Sequence, residues 1–232
     1  MRRKLNLIVA SLCGLLSGTS VAENSIALFI GKAFSTPGDV RFKSNNGDNL
    51  LFQNVSWSDE SFKPPLYYGI RLSHWSEKVS SYGISVDFTH AKIYANMAQR
   101  LRVTGQRAGQ SVDTTEALGQ TFKRLALSHG YNYLTLNGMV RPKAVDQTIQ
   151  PYLGIGAGFA VPHVEIQTAN EKVDNYQLTG SVLQGLIGMR VKGTPVIAEY
   201  KYSYGLLHSQ LPSGSDVRFN TSTHHFTGGF IY

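Results

Sequence analysis

The sequence has one cysteine, little charge and, after its first residues, no long apolar run. Cys13 is the only cysteine among 232 residues, so no disulfide can form within the chain. Only 16% of the residues are charged, and no cluster of Lys and Arg indicates nucleic-acid binding. No segment after residue 22 reaches the ~20 apolar residues that a membrane-spanning helix needs. These absences exclude a disulfide scaffold and a helical membrane protein, and they argue against a nucleic-acid partner.

The first 22 residues have the features of a secretory signal peptide. Basic residues occupy positions 2–4, an apolar stretch covers positions 5–16, and small residues lie at Ser20 and Ala22. The apolar stretch is too short to span a bilayer as a helix. We therefore expect export, with cleavage after Ala22 and with residues 23–232 forming a single domain.

Beyond residue 22 the dominant pattern is alternation of large apolar residues with polar or small ones, at a period of two. The run 151–161 is the clearest, because it places large aliphatic side chains on one face and glycines on the other. This arrangement suits a narrow barrel with lipid outside and a crowded interior. Eight such runs are predicted: Ile26–Phe34, Leu66–Trp75, Tyr82–Tyr94, Leu125–Arg141, Pro151–Val161, Gln177–Val191, Val196–Tyr204 and Phe219–Tyr232.

The connections between these runs alternate between long and short, starting with a long loop at 35–65, a short turn at 76–81 and a long loop at 96–122. The last run ends on Phe230-Ile231-Tyr232, which is similar to the terminal signal read by the barrel-assembly machinery. A soluble sandwich or a lipocalin-like barrel would share the alternation but not these features. We predict an all-β, eight-stranded antiparallel transmembrane β-barrel in the outer membrane of a Gram-negative bacterium, with long extracellular loops and short periplasmic turns.

Five charged residues lie within the predicted strands: Arg71, Asp87, Arg190, Glu199 and Lys201. Successive side chains of a strand point to opposite faces, and this alternation places most of the five inside the barrel. We expect them to pair with one another as structural plugs. Because side chains fill the interior of an eight-stranded barrel, a small-solute channel is not expected.

Common catalytic motifs are missing. There is no glycine-rich phosphate loop, no HExxH and no Gly-x-Ser-x-Gly. The nearest approach to the His-x-Ser pair of barrel hydrolases is His208-Ser209, whose spacing is wrong. Hydrolysis by a serine–histidine pair is therefore not expected.

Histidines concentrate near the predicted outer rim, at positions 90, 129, 163, 208, 224 and 225, with Lys92 and Glu165 close by. Imidazoles and a carboxylate can bind a divalent metal ion. The alternative is a set of interfacial histidines bonded to water or lipid head groups. Parity places His90 and His163 on the lipid side, about 10 Å apart.

Basic residues recur in the second long loop, at Arg100, Arg102 and Arg107. Guanidinium groups pair well with phosphates, which lipid A carries in the outer leaflet. The alternative is a solvated basic loop that stabilises the lipopolysaccharide layer without binding a substrate.

Several stretches resemble segments of the lipid A oxidases of rhizobia: 66–71, 86–94, 133–137, 151–165 and 198–203. The most specific are Asp87-Phe-Thr-His-Ala-Lys92 and Val161-Pro-His-Val-Glu165. The resemblance implies oxygen-dependent oxidation of the proximal glucosamine of lipid A to 2-aminogluconate, helped by a divalent metal ion.

The hypothesis that follows has three sets of residues. Asp87, His90 and Lys92 are the catalytic candidates. His163 and Glu165, together with His90, are the candidate metal ligands. Arg100, Arg102 and Arg107 are candidates for holding the substrate phosphates.

The alternative is a non-enzymatic barrel, structural or adhesive, whose loops at 35–65 and 96–122 do the binding. It predicts mobile, exposed loops. In both cases the expected partners are lipopolysaccharide, the lipids of the outer membrane and, during biogenesis, the assembly machinery, with the protein as a monomer.

Overall fold

The computed structural model describes residues 23–76, 81–142 and 148–232. The predicted signal peptide and parts of two predicted short turns lie outside these residues. Within them, no helix is long and apolar enough to cross a membrane. The strands are β1 (Glu23–Thr36), β2 (Gly38–Lys43), β3 (Asn49–Val55), β4 (Trp57–Ser58), β5 (Tyr68–Trp75), β6 (Tyr82–Ala95), β7 (Arg100–Arg107), β8 (Gln110–Ala117), β9 (Arg124–Val140), β10 (Ile149–Ala160), β11 (His163–Gln167), β12 (Lys172–Tyr176), β13 (Gly180–Val191), β14 (Val196–Gln210) and β15 (Asp216–Ile231).

Eight of these strands close into a ring in the order β1-β5-β6-β9-β10-β13-β14-β15, and β15 pairs back onto β1. Every pair in the ring is antiparallel, and the closing register runs from Ala27 opposite Ile231 to Thr36 opposite Ser222. Closure gives each backbone amide and carbonyl of the ring an internal partner, as a barrel in hydrocarbon requires. The predicted eight-stranded antiparallel barrel is confirmed, and its strands contain the predicted runs with only small differences at the ends.

The outer face of the ring carries a belt of exposed apolar side chains. Strand β10 shows the alternation best, because Leu153, Ile155 and Phe159 are 51%, 76% and 47% exposed. Its glycines face inward, where Gly156 lies so close to Asn137 of β9 that a Cβ atom could not be accommodated. The prediction of aliphatic groups outside and small groups inside is therefore confirmed for this strand.

The barrel interior is closed by a buried quartet of charges. Arg71 donates to both oxygens of Asp87, at 2.7 and 2.5 Å, and to Glu199 at 2.6 Å. Lys201 Nζ lies 3.4 Å from Asp87 Oδ2. Two positive and two negative groups therefore balance inside the ring, which confirms their predicted pairing and fills the space that a channel would need.

The fifth predicted inward charge, Arg190, lies near the end of the barrel that contains Glu23. Arg190 and Arg141 both donate to the carboxylate of Glu23, at 2.8 and 2.6 Å. The Arg141 guanidinium also lies 4.1 Å above the Trp75 ring. Arg190 therefore pairs outside the central quartet.

The opposite end of the barrel is covered by a folded cap, formed by β2, β3, β4, β7, β8, β11 and β12 with their connections. The β2 strand continues the barrel sheet by pairing with β15, and β3, β7 and β8 follow in order. The hairpin of β11 and β12 pairs with the first half of β9. The segments 35–65 and 96–122, which were predicted as loops, are therefore largely strands.

The cap is ordered by an apolar core that continues into the barrel mouth. Phe122 is fully buried, with its ring centroid 5.4 Å from those of both Phe42 and Phe52. Around it pack buried aliphatic residues from every part of the cap, among them Val40, Leu50, Leu101, Val103, Leu118, Leu125, Val164 and Ile166. The expected loops are therefore largely folded into strands that contribute apolar side chains to one core, while β8 stays mostly exposed.

Candidate functional site

Three of the predicted rim histidines lie around one bulge on the outer wall, where the barrel passes into the cap. Strand β9 lies between β6 on one side and β10 and β11 on the other. Its register with β6 is broken between Ala91 and Ile93, where residues 128–130 of β9 form a bulge. We name His90, His129 and His163 the imidazole cluster, because this bulge connects all three.

His90 faces outward, as parity predicted, and neighbouring side chains cover it. Its ring stacks on Tyr68 with centroids 4.8 Å apart, and its Nδ1 lies 2.7 Å from Asn132 Oδ1. Gly130 has a positive φ of +136°, and a Cβ atom there would lie 2.7 Å from His90 Cε1. The bulge can therefore approach the ring only because position 130 is glycine. His90 is 5% exposed, and its Nε2 has no hydrogen-bond partner among the described residues.

His129 and His163 contact each other across the bulge. Their ring centroids are 4.8 Å apart in an edge-to-face arrangement, and Tyr176 packs on the other side of His163 at 4.9 Å. His163 Nε2 lies 3.6 Å from a carboxylate oxygen of Asp174. Its Nδ1 is buried and has no partner in the part of the chain that the structure describes. Two imidazoles of the cluster thus retain a ring nitrogen that the protein does not use.

Lys92 and Glu165 flank the cluster but are engaged elsewhere. Lys92 Nζ donates to the carbonyl oxygen of Lys63 at 2.7 Å, which ties the first long connection to the wall. Glu165 lies 3.1 Å from Arg124 in an ion pair. Lys92 is therefore a structural contact here, in contrast to its predicted catalytic role.

Asp87 does not join this site. It faces the barrel interior in the charge quartet, whereas His90, three residues later on the same strand, faces outward. The barrel wall separates them, because an odd number of residues along a strand changes the face. The predicted catalytic grouping of Asp87, His90 and Lys92 is therefore not assembled.

The predicted metal site of His90, His163 and Glu165 is not assembled either. No group of three or more His, Cys, Asp or Glu side chains within residues 23–76, 81–142 and 148–232 is arranged to hold a metal ion. His90 is bonded to Asn132 and Glu165 is paired with Arg124. These residues do not fit a bound metal ion in this arrangement.

The three arginines predicted to hold phosphates already have partners in the cap. Arg102 makes a bidentate contact with Asp113, at 2.9 and 2.8 Å. Arg107 pairs with Glu116, whose hydrogen bond raises the pKa of the guanidinium. Arg100 donates to the carbonyl oxygen of Thr115 at 2.9 Å. They lie along β7 opposite β8, so they form no clamp beside the imidazole cluster.

The remaining histidines are dispersed. His225 is inside the barrel, where its Nε2 lies 2.9 Å from Ser203 Oγ, so its prediction as a rim residue is wrong. His224 faces outward on the far wall and is bonded to Tyr200 at 2.7 Å. His208 lies 3.6 Å from Asp216 at the last connection of the cap.

Sequence reasoning missed the residues that position the imidazoles: Tyr68, Gly130, Asn132 and Tyr176. Each contacts a histidine from another strand, and no local pattern marks such a contact. The sequence offered one indication. Asn132 is a polar residue at an outward-facing position of its strand, and a lone amide on a face that meets lipid needs a hydrogen-bond partner.

No family model and no curated protein matches the sequence. Several solved structures have a similar fold. Neisserial surface protein A matches with a TM-score of 0.43 and 14% identity, over 91% of this chain and 98% of that chain. The outer membrane protein OprG from Pseudomonas aeruginosa matches with a TM-score of 0.42 and 9% identity, over 91% of this chain and 94% of that chain. Ail, the attachment invasion locus protein of Yersinia pestis, matches with a TM-score of 0.35 and 15% identity, over 90% of this chain and 99% of that chain.

The architecture defines the class of protein. A closed antiparallel ring with a lipid-compatible outer belt and a polar, filled interior is the design of a small outer-membrane β-barrel of a Gram-negative bacterium.

Proposed function

We propose that the protein modifies lipid A in the outer leaflet, as an oxidase acting on the proximal glucosamine. The observation that carries the proposal is the position of the imidazole cluster. It faces outward at the end of the apolar belt, where Tyr68 is 40% and Val161 36% exposed. A lipid head group anchored in the membrane would reach this height on the wall without leaving the bilayer.

The closed interior supports a lateral approach. The charge quartet fills the middle of the barrel, and the apolar core of the cap covers its outer mouth. A substrate with several acyl chains has no route through such a lumen. The reacting sugar would therefore meet the outer wall, where His129 is exposed beside His163. The unpartnered ring nitrogens of His90 and His163 are buried, so the sugar would have to displace the side chains that cover them.

The chemistry follows from the resemblance to lipid A oxidases. The C1 carbon of the sugar loses two electrons and two protons to molecular oxygen, which gives a lactone and hydrogen peroxide. Water then opens the lactone to the 2-aminogluconate, with a net gain of one oxygen atom. A neutral imidazole of the cluster would accept the C1 hydroxyl proton, a role worth about 10²–10⁴ in rate.

The cap favours a second candidate, a non-enzymatic structural or adhesive barrel. Its strands project beyond the barrel as a folded platform with its own apolar core. An oxidase acting only at the wall has no evident need for so large a platform. In this case the histidines would be interfacial residues without a chemical role.

Mass spectrometry of lipid A distinguishes the two candidates. In cells grown in air with the wild-type protein, we expect the proximal sugar to gain one oxygen atom. His90→Ala and His163→Ala should lower the modified fraction to near the level of cells without the protein. Their insertion is checked by the mobility shift between boiled and unboiled samples.

His224→Ala is the matched control, because His224 also faces outward but lies on the far wall, bonded to Tyr200. It should leave the lipid unchanged relative to wild type. Unmodified lipid A in cells that contain folded wild-type protein would contradict the oxidase and favour the structural barrel.

A further inference from the structure

A polar cleft opens on the outer surface of the cap, away from the imidazole cluster. It has a volume of about 420 Å³, within the usual range of ligand sites. Four separate segments of the chain line it, at residues 42–50, at residues 107, 120 and 121, at 168–171 and at 213 and 215. Its floor is apolar, since Phe42 and Leu50 of the cap core lie there at 4% and 1% exposure.

Hydrogen bonds between the connections hold the cleft in shape. Glu171 accepts from both the hydroxyl and the amide of Ser213, at 2.5 and 3.2 Å. Asn45 donates to the Ser213 carbonyl from the opposite wall. Asp48 accepts from the Ala108 amide at 2.9 Å. The walls are thus joined before any ligand arrives, which lowers the cost of binding.

Three amide side chains line this cleft and have no hydrogen-bond partner among the described residues: Asn46, Gln120 and Asn170. Each amide offers two donors and an acceptor. The carboxylates of Asp48 and Glu171 add acceptors beside them. Amide donors and carboxylate acceptors gathered in one cleft are the groups that bind the hydroxyls of a sugar.

The charge of the cleft selects among saccharides. Arg107 is the one cationic side chain among the described residues that line the cleft, and it is already paired with Glu116. Although burial acts to raise the pKa of Glu171, the hydroxyls of Ser213 and Ser215 lower it below its usual value, so that this carboxylate stays ionised. The lining therefore disfavours sulfate and phosphate groups and accepts neutral or amino-bearing sugars.

We propose that this cleft is a binding site for a neutral or amino-bearing saccharide chain. The bacterium's own surface polysaccharide and a foreign glycan present the same hydroxyl chemistry, and the test below distinguishes them. The proposal does not rest on the oxidase, since the cleft shares no residue with the imidazole cluster.

The test is an array of neutral hexose and N-acetylhexosamine oligosaccharides, their sulfated counterparts and the delipidated polysaccharide of the same cells. It is probed with the full-length protein in detergent. We expect binding to neutral or hexosamine chains, weakened about tenfold by Asn170→Ala and by Gln120→Ala. Neither variant removes an internal hydrogen bond, so both should fold. Gln110→Ala, an exposed amide outside the cleft, should bind as wild type.

Each outcome decides the proposal. Binding to the delipidated polysaccharide identifies the cell's own surface as the source, and binding only to the other neutral chains identifies a foreign glycan. Absence of binding to any neutral or hexosamine chain overturns the proposal. Binding to sulfated chains alone overturns it, as does binding that the two cleft variants leave unchanged.

Discussion

Arg71→Met should destabilise the barrel by about 3–5 kcal/mol, the usual cost of leaving a buried charge without its partner. Arg71 is 3% exposed and donates to both Asp87 and Glu199. Without it, two buried carboxylates face a single ammonium, Lys201, inside the ring. Their repulsion and lost hydrogen bonds both oppose folding.

Reversible urea unfolding in lipid vesicles, followed by tryptophan fluorescence, measures this loss. The double variant Arg71→Met/Asp87→Asn restores a balance of one positive and one negative charge. It should therefore lose less stability than the two single variants added together, by about 1 kcal/mol or more. A single-variant loss under about 1 kcal/mol would show that the quartet is solvated and does not plug the barrel.

Phe122→Ala should open the cap and leave the barrel closed. Removing a fully buried aromatic ring typically costs about 3–5 kcal/mol, because a cavity remains. Phe122 contacts Phe42 and Phe52, which lie in β2 and β3, so its loss loosens several cap strands together. The barrel strands are held by their own closed ladder, in which β15 pairs with β1, so we expect the barrel to stay closed.

Limited proteolysis of folded protein detects the opening as faster cleavage within the cap, while the heat-dependent mobility shift of the barrel persists. Phe62→Ala is the matched control, since Phe62 is 70% exposed. Its cleavage rate should equal that of wild type. If Phe122→Ala were also cleaved at the wild-type rate, the cap would have no cooperative core.

The barrel could be predicted from the sequence because its signal is local. Alternation along one strand reports which face meets lipid, as Leu153, Ile155 and Phe159 show. The cap could not be predicted in this way. Its sheet depends on pairing between distant segments, such as Leu50–Phe52 with Val103–Gly105, and no local pattern specifies that register.

The same difference between local alternation and long-range pairing explains why only part of the site could be predicted. Parity placed His90 outward correctly, but its bond to Asn132 joins residues 42 positions apart. The pairing of Arg102 with Asp113 was within reach of the sequence. Ala108-Gly109 forms a two-residue turn with positive φ at both positions, and the resulting hairpin brings the two side chains together.

The central claim is that the wall around β10 lies in the bilayer, with the imidazole cluster at head-group height. Residues 23–232 contain no cysteine, so single introduced cysteines can carry a fluorophore at Ile155, Val161 or Ser213. In vesicles, lipids brominated deep in the acyl chain should quench the label at Ile155 most strongly. Lipids brominated near the head group should quench the label at Val161, and neither should affect Ser213. Quenching of the Ile155 label by aqueous iodide, with no effect of brominated lipids, would contradict the account.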